Sequence, residues 1–80
     1  MSNVKNDLIF VGVDVSKDSL DIFHPDSNEV SKIENSENAV EDFCRKLQKK
    51  KRDVIVVMEA TGGYETLLVN QLAKHDVPAA

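Results

Sequence analysis

The sequence predicts an α/β fold that consists of a three-stranded antiparallel meander, a helix, a parallel strand and a second helix. Two short apolar runs, at residues 8–13 and 54–58, have the length and the branched side chains of buried strands. Few residues separate the first run from the next strand-like segment, and so short a connection forces antiparallel pairing. A helical pattern precedes the second run, which favours a parallel crossover onto the first strand.

The N-terminal part of the chain is predicted to hold a flexible tail and three strands. Residues 1–6 are polar and form the tail. Residues 8–15 are apolar at nearly every position, which predicts a central strand that is buried on both faces. Turn-forming residues then separate it from strands at residues 19–23 and 29–33.

The second part of the chain is predicted to alternate helix and strand. Asn35 and Ser36 are typical of a helix start. The apolar residues that follow share one helical face: Val40, Phe43 and Leu47. Residues 53–58 predict the second buried strand, and residues 64–75 predict a second helix.

The last residues, 77–80, resemble the start of a further strand. A chain that stops there looks cut rather than finished. We therefore expect residues 7–80 to be the N-terminal portion of a larger catalytic domain, incomplete by itself.

Charge limits the classes of function. Ten basic residues stand against fourteen acidic ones, for a net charge of −4. A free-standing nucleic-acid binder is usually basic, because phosphate neutralisation supplies much of its affinity. The balance therefore argues against this segment binding DNA or RNA alone, but it suits a segment that contributes acidic, metal-holding residues to a larger enzyme.

The cellular setting follows from the cysteine and the apolar runs. The single cysteine, Cys44, cannot form an internal disulfide, and it lies one position from the apolar helix face, where we expect it to be half-buried. Neither apolar run approaches the roughly 20 residues that a membrane span needs. No signal peptide is visible at the N-terminus, so the sequence predicts a cytoplasmic protein with no membrane partner.

Two acidic residues, Asp14 and Glu59, each end an apolar strand. If these strands are parallel neighbours, they lie about 4.8 Å apart, and both carboxylates leave the edge of the sheet where ligands usually bind. Carboxylates so close repel each other unless a cation lies between them, and oxygen ligands suit Mg²⁺ or Mn²⁺. Such ions can activate a nucleophile for phosphoryl transfer. The alternative is that each acid is a solvated turn or cap residue.

A second set of residues can contact nucleic acid. Thr61, Gly62 and Gly63 precede the second predicted helix and can offer backbone N–H groups to a phosphate. The alternative is that Thr61 is the N-cap of the helix and that the two glycines form a permissive turn. Lys17 can likewise meet a phosphate, or it is a solvated lysine in a turn.

Two motifs resemble those of one transposase family. The segments VGVDVSKDSLD (residues 11–21) and VMEATGGYE (residues 57–65), their spacing and the later HDVP (residues 75–78) resemble the DEDD-type transposases of the bacterial insertion-sequence-110 family, which includes the Piv-like DNA invertases. The resemblance covers nearly the whole chain from residue 8 on. Both motifs in order, with matching spacing, are more specific than either alone.

This resemblance implies a ribonuclease-H-like (RuvC-like) catalytic domain. Four acidic residues, in the order Asp, Glu, Asp, Asp, hold divalent metal for DNA cleavage and rejoining in that family. Asp14 matches the first Asp and Glu59 matches the Glu, while the other two lie beyond Ala80 in the family pattern. The implied partners are DNA, an element-encoded guide RNA in some members, and further copies of the protein. The isolated chain is therefore expected to be inactive.

Three other functions remain open from the sequence. Actin-like ATPases and sugar kinases also begin with a strand, an Asp and a phosphate-binding hairpin, although that hairpin is usually richer in glycine than residues 16–19. A RuvC-like junction nuclease shares the expected fold and metal chemistry but lacks the second motif. A non-catalytic interaction module predicts that replacing Asp14 or Glu59 changes stability alone.

Overall fold

The computed structural model describes residues 8–25, 27–50, 53–60 and 62–79. The secondary-structure elements follow the predicted order: β1 (Ile9–Val15), β2 (Ser19–His24), β3 (Glu29–Glu34), α1 (Glu37–Gln48), β4 (Val54–Ala60) and α2 (Thr66–Lys74). The predicted N-terminal tail lies outside the described residues. The architecture is a small α/β fold, and it is compatible with a fragment of a ribonuclease-H-like domain.

The strands form one mixed sheet in the order β3-β2-β1-β4. β1 pairs antiparallel with β2, and β2 pairs antiparallel with β3, which confirms the predicted meander. β4 pairs parallel with β1 along its whole length, from Ile9 opposite Val54 to Val15 opposite Ala60. The predicted crossover is therefore confirmed, and β1 lies between two neighbours, as a central strand should.

One face of the sheet holds the core. The side chains of β1 alternate between buried and more exposed positions, and the buried ones pack with α1, α2 and the neighbouring strands. They share the helix-covered face: Ile9, Val11, Val13 and Val15. The prediction that this strand is buried on both faces is wrong for the described structure, because both helices pack on the same side. Phe10 and Asp14 point to the other face and are exposed.

Helix α1 begins where the sequence predicts. Ser36 is its N-cap, and the Ser36 Oγ accepts a hydrogen bond from the Ala39 N–H at 3.4 Å. The buried residues of α1 are Val40, Phe43, Cys44 and Leu47. The expectation that Cys44 is half-buried is wrong, since its side chain is fully enclosed between the helix and the sheet core.

Helix α2 begins later than predicted, at Thr66 rather than at residue 64. Gly62 and Gly63 both have left-handed backbone angles, with φ of 80° and 79°, so the turn continues to Glu65, which is the N-cap residue. Thr61, the predicted cap, lies outside the described residues. No helix in the described ranges is long and apolar enough to cross a membrane.

The chain after α2 returns to the sheet beside β4. The Val56 N–H donates to the Pro78 carbonyl oxygen at 2.9 Å, and Val56 and Ala79 form an isolated parallel bridge. The predicted start of a further strand at residues 77–80 is thus represented by a single bridge. It lies on the side of β4 opposite to β1, because β1 occupies the other edge of that strand.

Candidate active site

Asp14 and Glu59 lie directly opposite each other on neighbouring strands. Their Cα atoms are register partners in the parallel β1–β4 pair, so both side chains leave the same face of the sheet at the same level. The structure therefore brings together the two acids that the sequence singled out. It corrects their position in one respect: each is the penultimate residue of its strand and does not end it, because pairing continues to Val15 and Ala60.

The two acids lie on the face of the sheet that α1 and α2 leave open. Both side chains are exposed. They border a shallow cavity of about 390 Å³. Its lining combines acidic and apolar residues with one glycine: Gly12, Val13, Asp14, Asp21, Phe23, Val30, Val57 and Glu59. The site is an acidic rim beside a partly apolar, solvent-open surface.

Two more charged residues share the level of Asp14 and Glu59. Asp21 on β2 is the register partner of Asp14, and Lys32 on β3 is the register partner of Asp21. We call the four residues Lys32, Asp21, Asp14 and Glu59 the cross-sheet row. The Lys32 Nζ lies 3.5 Å from the Asp21 Oδ1. Asp21 thus has a cationic neighbour, whereas neither Asp14 nor Glu59 forms a salt bridge with another described residue.

The donor chemistry of this row fits a hard divalent cation only in part. Asp14 and Glu59 offer carboxylate oxygens, the ligands that Mg²⁺ and Mn²⁺ prefer. Within the described ranges, however, no group of three or more His, Cys, Asp or Glu side chains converges closely enough to hold a metal. The described residues therefore supply two adjacent carboxylates, and a complete coordination shell needs ligands from elsewhere.

The two loops that follow the acids are joined by Asn35. One Nδ2–H of Asn35 donates to the Ser16 carbonyl oxygen at 2.9 Å, and Nδ2 also donates to the Tyr64 carbonyl oxygen at 3.2 Å. The backbone N–H of Asn35 donates to the Asp18 carbonyl oxygen at 2.9 Å. Ser16 follows β1 and Tyr64 lies in the turn that follows β4. Asn35 thereby connects the two sequence motifs through the loops that follow β1 and β4.

The predicted nucleic-acid contacts lie on these same loops. Lys17 is exposed in the β1–β2 turn, and Gly62 and Gly63 are exposed in the turn before α2. Thr61 falls outside the described residues, so its predicted role is not addressed by the fold. The described loop residues lie at the same edge of the sheet as Asp14 and Glu59, because they directly follow β1 and β4.

Sequence reasoning missed two residues of this region. The pairing of Asp21 with Asp14 was available in principle, because a tight turn after Val15 places residues at equal distances from the turn opposite each other. Asn35 was predicted only as a helix start. Its bond to Tyr64 spans 29 positions, and no local pattern signals such a contact.

The buried thiol is not part of the site. Burial raises the pKa of Cys44 from 9.0 to about 11, and the side chain lies in the core on the helix-covered face. A thiol with so high a pKa is protonated at neutral pH and is a poor nucleophile.

Comparison with known proteins identifies one similar family. The model of the DEDD-type IS110 family, described as "Transposase", matches residues 11–80. The match includes both motifs and hence Asp14, Asp21, Asn35 and Glu59. No curated protein shows significant similarity to the chain.

Proposed function

The chain belongs to the DEDD-type insertion-sequence-110 transposase family, and on that premise we propose that it contributes Asp14 and Glu59 to the metal-dependent centre that cleaves and rejoins DNA. Asp14 takes the position of the first Asp of the family pattern, and Glu59 takes that of the Glu. The observation that carries the proposal is their register: the two acids face each other across a parallel strand pair on the open face of the sheet.

Electrostatics supports a role in cation binding. Two exposed carboxylates at one level of adjacent strands repel each other, and like charges directly opposite destabilise a sheet. Asp21 adds a third negative charge beside Asp14, although Lys32 offsets part of it. The facing carboxylates of Asp14 and Glu59 do not stabilise the metal-free fold, whereas a divalent cation removes their repulsion. The arrangement is therefore better explained by ligand binding than by folding.

The residues of this chain have separate tasks in the proposed centre. Asp14 and Glu59 would hold Mg²⁺ or Mn²⁺, and Lys32 keeps the neighbouring Asp21 paired so that it competes less for the ion. When bound, such an ion activates an attacking oxygen and stabilises a leaving one. The two further aspartates of the family pattern complete the ligand set, so we expect the 80-residue chain to be inactive by itself.

Binding of DNA is proposed at the loop edge of the sheet. Lys17 supplies a positive charge there, and the backbone of Gly62 and Gly63 carries no side chain of its own that would keep a phosphate away. Gly63 is the more open of the two, because the Tyr64 ring lies against Gly62, whereas no atom lies within 4 Å of the Cβ position of Gly63. The net charge of −4 opposes DNA binding by these loops alone. We therefore place most of the DNA affinity in other parts of the transposase assembly. A guide RNA and self-association stay predictions of the family resemblance, and a cytoplasmic location stays a prediction from the single cysteine and the N-terminal sequence.

A transposition assay tests the catalytic proposal. The full transposase that contains this chain is expressed with a donor plasmid that carries the element, and excision is measured for Asp14→Asn and Glu59→Gln. Asp42→Asn is the control, since Asp42 is an exposed acid of α1 that pairs with Lys46 on the surface. We expect both site variants to abolish recombination with the protein still folded, and the control to retain it.

Recombination retained by Asp14→Asn overturns the proposal. It would instead favour an interaction module, for which the acids matter only to stability. Family membership already favours the transposase over the actin-like and sugar-kinase alternatives. A junction nuclease would be recognised by cleavage of branched DNA without rejoining at element ends.

A further inference from the structure

We propose that Asn35 is a positioning residue, whose side-chain amide holds the loop after Asp14 against the loop after Glu59 and thereby fixes the separation of the two carboxylates. This inference rests on the proposed function, because it assigns Asn35 to the same metal-holding pair. Asn35 does not touch the acids themselves. It acts through the main chain of the loops on which their strands end.

Asn35 donates three hydrogen bonds to the backbone of the two loops. Its Nδ2 group has two hydrogens and two acceptors, the carbonyl oxygens of Ser16 and Tyr64, at 2.9 and 3.2 Å. Its backbone N–H is held by the Asp18 carbonyl at 2.9 Å. Among the side-chain hydrogen bonds between described residues, those of Asn35 alone join the two motif loops.

The position of these bonds explains why they affect the acids. The backbone pairing of β1 with β4 ends at Val15 and Ala60, one residue beyond Asp14 and Glu59. Strand ends open more easily than strand centres, because fewer hydrogen bonds hold them. A cross-link just past the last register pair restrains this opening. Asn35 therefore limits the motion of the end at which the carboxylates must keep their spacing.

A role in capping α1 does not explain the two hydrogen bonds that the Asn35 side-chain amide donates. Ser36 already caps α1, since its hydroxyl oxygen accepts from the Ala39 N–H. The Asn35 amide is oriented away from that task and donates to the two loops. Asparagine is suited to this position because a single planar NH₂ group can donate to two carbonyl oxygens.

The test compares Asn35 variants with two controls in the 80-residue chain. Asn35→Asp keeps the shape of the side chain but replaces the two-hydrogen donor by a carboxylate, and Asn35→Ala removes the donor without adding charge. Ser36→Ala is the stability control, because it weakens α1 without touching the loops. Asn70→Asp repeats the chemical change at an exposed position of α2. NMR follows the amides of Asp14 and Glu59, first without metal and then during a Mn²⁺ titration, at equal folded fraction.

We expect both Asn35 variants to shift the metal-free amide signals of Asp14 and Glu59 and to raise several-fold the Mn²⁺ concentration that broadens them. Ser36→Ala and Asn70→Asp should leave both readouts as in the wild type. The inference is overturned if the Asn35 variants leave both readouts as in the wild type, or if Ser36→Ala changes them equally.

The two readouts separate this inference from the proposed function. If Mn²⁺ causes no localised broadening in the wild-type chain, cation binding by Asp14 and Glu59 is refuted for this chain. The positioning role is then decided by the metal-free signals. Shifts at Asp14 and Glu59 in the Asn35 variants alone support it, and unchanged signals refute it.

Discussion

Replacing Asp14 by asparagine should stabilise the metal-free chain while it removes one of the two proposed metal ligands. Asp14 is the one acid of the cross-sheet row with an acidic register partner on each side, Asp21 on β2 and Glu59 on β4. Asn has nearly the same volume and leaves the strand geometry unchanged. The substitution therefore removes two like-charge contacts and adds none.

The strand spacing sets the size of the expected increase in the free energy of unfolding. Neighbouring strands lie about 4.8 Å apart, and two unit charges about 5 Å apart in a water-like medium repel by about 0.8 kcal/mol. The side chains are open to solvent and can spread, and Lys32 offsets the charge of Asp21. We therefore expect a total gain of about 1 kcal/mol for Asp14→Asn, within the range of opposed like charges in sheets. Glu59→Gln relieves one contact and should gain about half as much.

The assay is urea unfolding followed by circular dichroism, with EDTA, at low and at high salt. A gain of about 1 kcal/mol corresponds to a rise of about 4–8 °C in the melting temperature of a domain this size. At 1 M salt the Debye length falls to about 3 Å, so the gain should largely vanish. Added Mg²⁺ should stabilise the wild type more than Asp14→Asn.

Three results would contradict charge repulsion as the cause of this stabilisation. One is a loss of stability in Asp14→Asn, which would mean that the Asp14 carboxylate makes a favourable contact in the metal-free chain. Another is a gain that persists in 1 M salt, which would point to a cause other than charge. The third is a larger gain for Glu59→Gln than for Asp14→Asn, which would contradict the order of charges in the row.

Three further predictions concern the scaffold. Leu20 is fully buried, so Leu20→Ala should lower the free energy of unfolding by about 2–5 kcal/mol, and a loss below 1 kcal/mol by urea titration would contradict the described core. Gly63→Ala should lower the free energy of unfolding by about 1–2 kcal/mol because of its left-handed φ alone. Gly62→Ala should lower it more, since the new Cβ would lie 2.8 Å from the Tyr64 ring, and equal losses in the two variants would refute that contact. Burial raises the pKa of Cys44 to about 11, so the contribution of this thiol to stability is fully present below pH 9. It falls by at most about 3 kcal/mol between pH 9 and 11, because the thiol of the unfolded chain ionises first. Cys44→Ala should lack this loss, and equal pH profiles of the two proteins would contradict the raised pKa.

The sequence was sufficient for the element order and for the pairing of the two acids. Apolar runs with branched side chains identify β1 and β4, and the intervening helix makes them parallel neighbours. Once they are neighbours, the similar distances of Asp14 and Glu59 from the starts of their strands place them at one level. The prediction succeeded because it depended on topology and strand length, which local pattern encodes.

Other features depended on tertiary context that local pattern does not carry. Nothing near residues 8–15 shows that both helices pack on one face, so the open side of β1 was predicted as buried. Tyr64 and Glu65 are compatible with a helix, and only the left-handed angles of the preceding glycines delay its start to Thr66. Asn35 was recognised for the helix it precedes, but its bonds to the two loops arise only when β1, β4 and α1 come together.

The most direct test of the account is a Mn²⁺ titration of the isotope-labelled chain, followed by paramagnetic broadening of its amide signals. We expect broadening centred on Asp14 and Glu59, weaker at Asp21, and absent at the exposed control Asp42. Asp14→Asn should remove the localised effect. Broadening spread evenly over the exposed acids, or centred away from the cross-sheet row, would show that register alone does not make these two carboxylates a cation site. It would refute cation binding by Asp14 and Glu59.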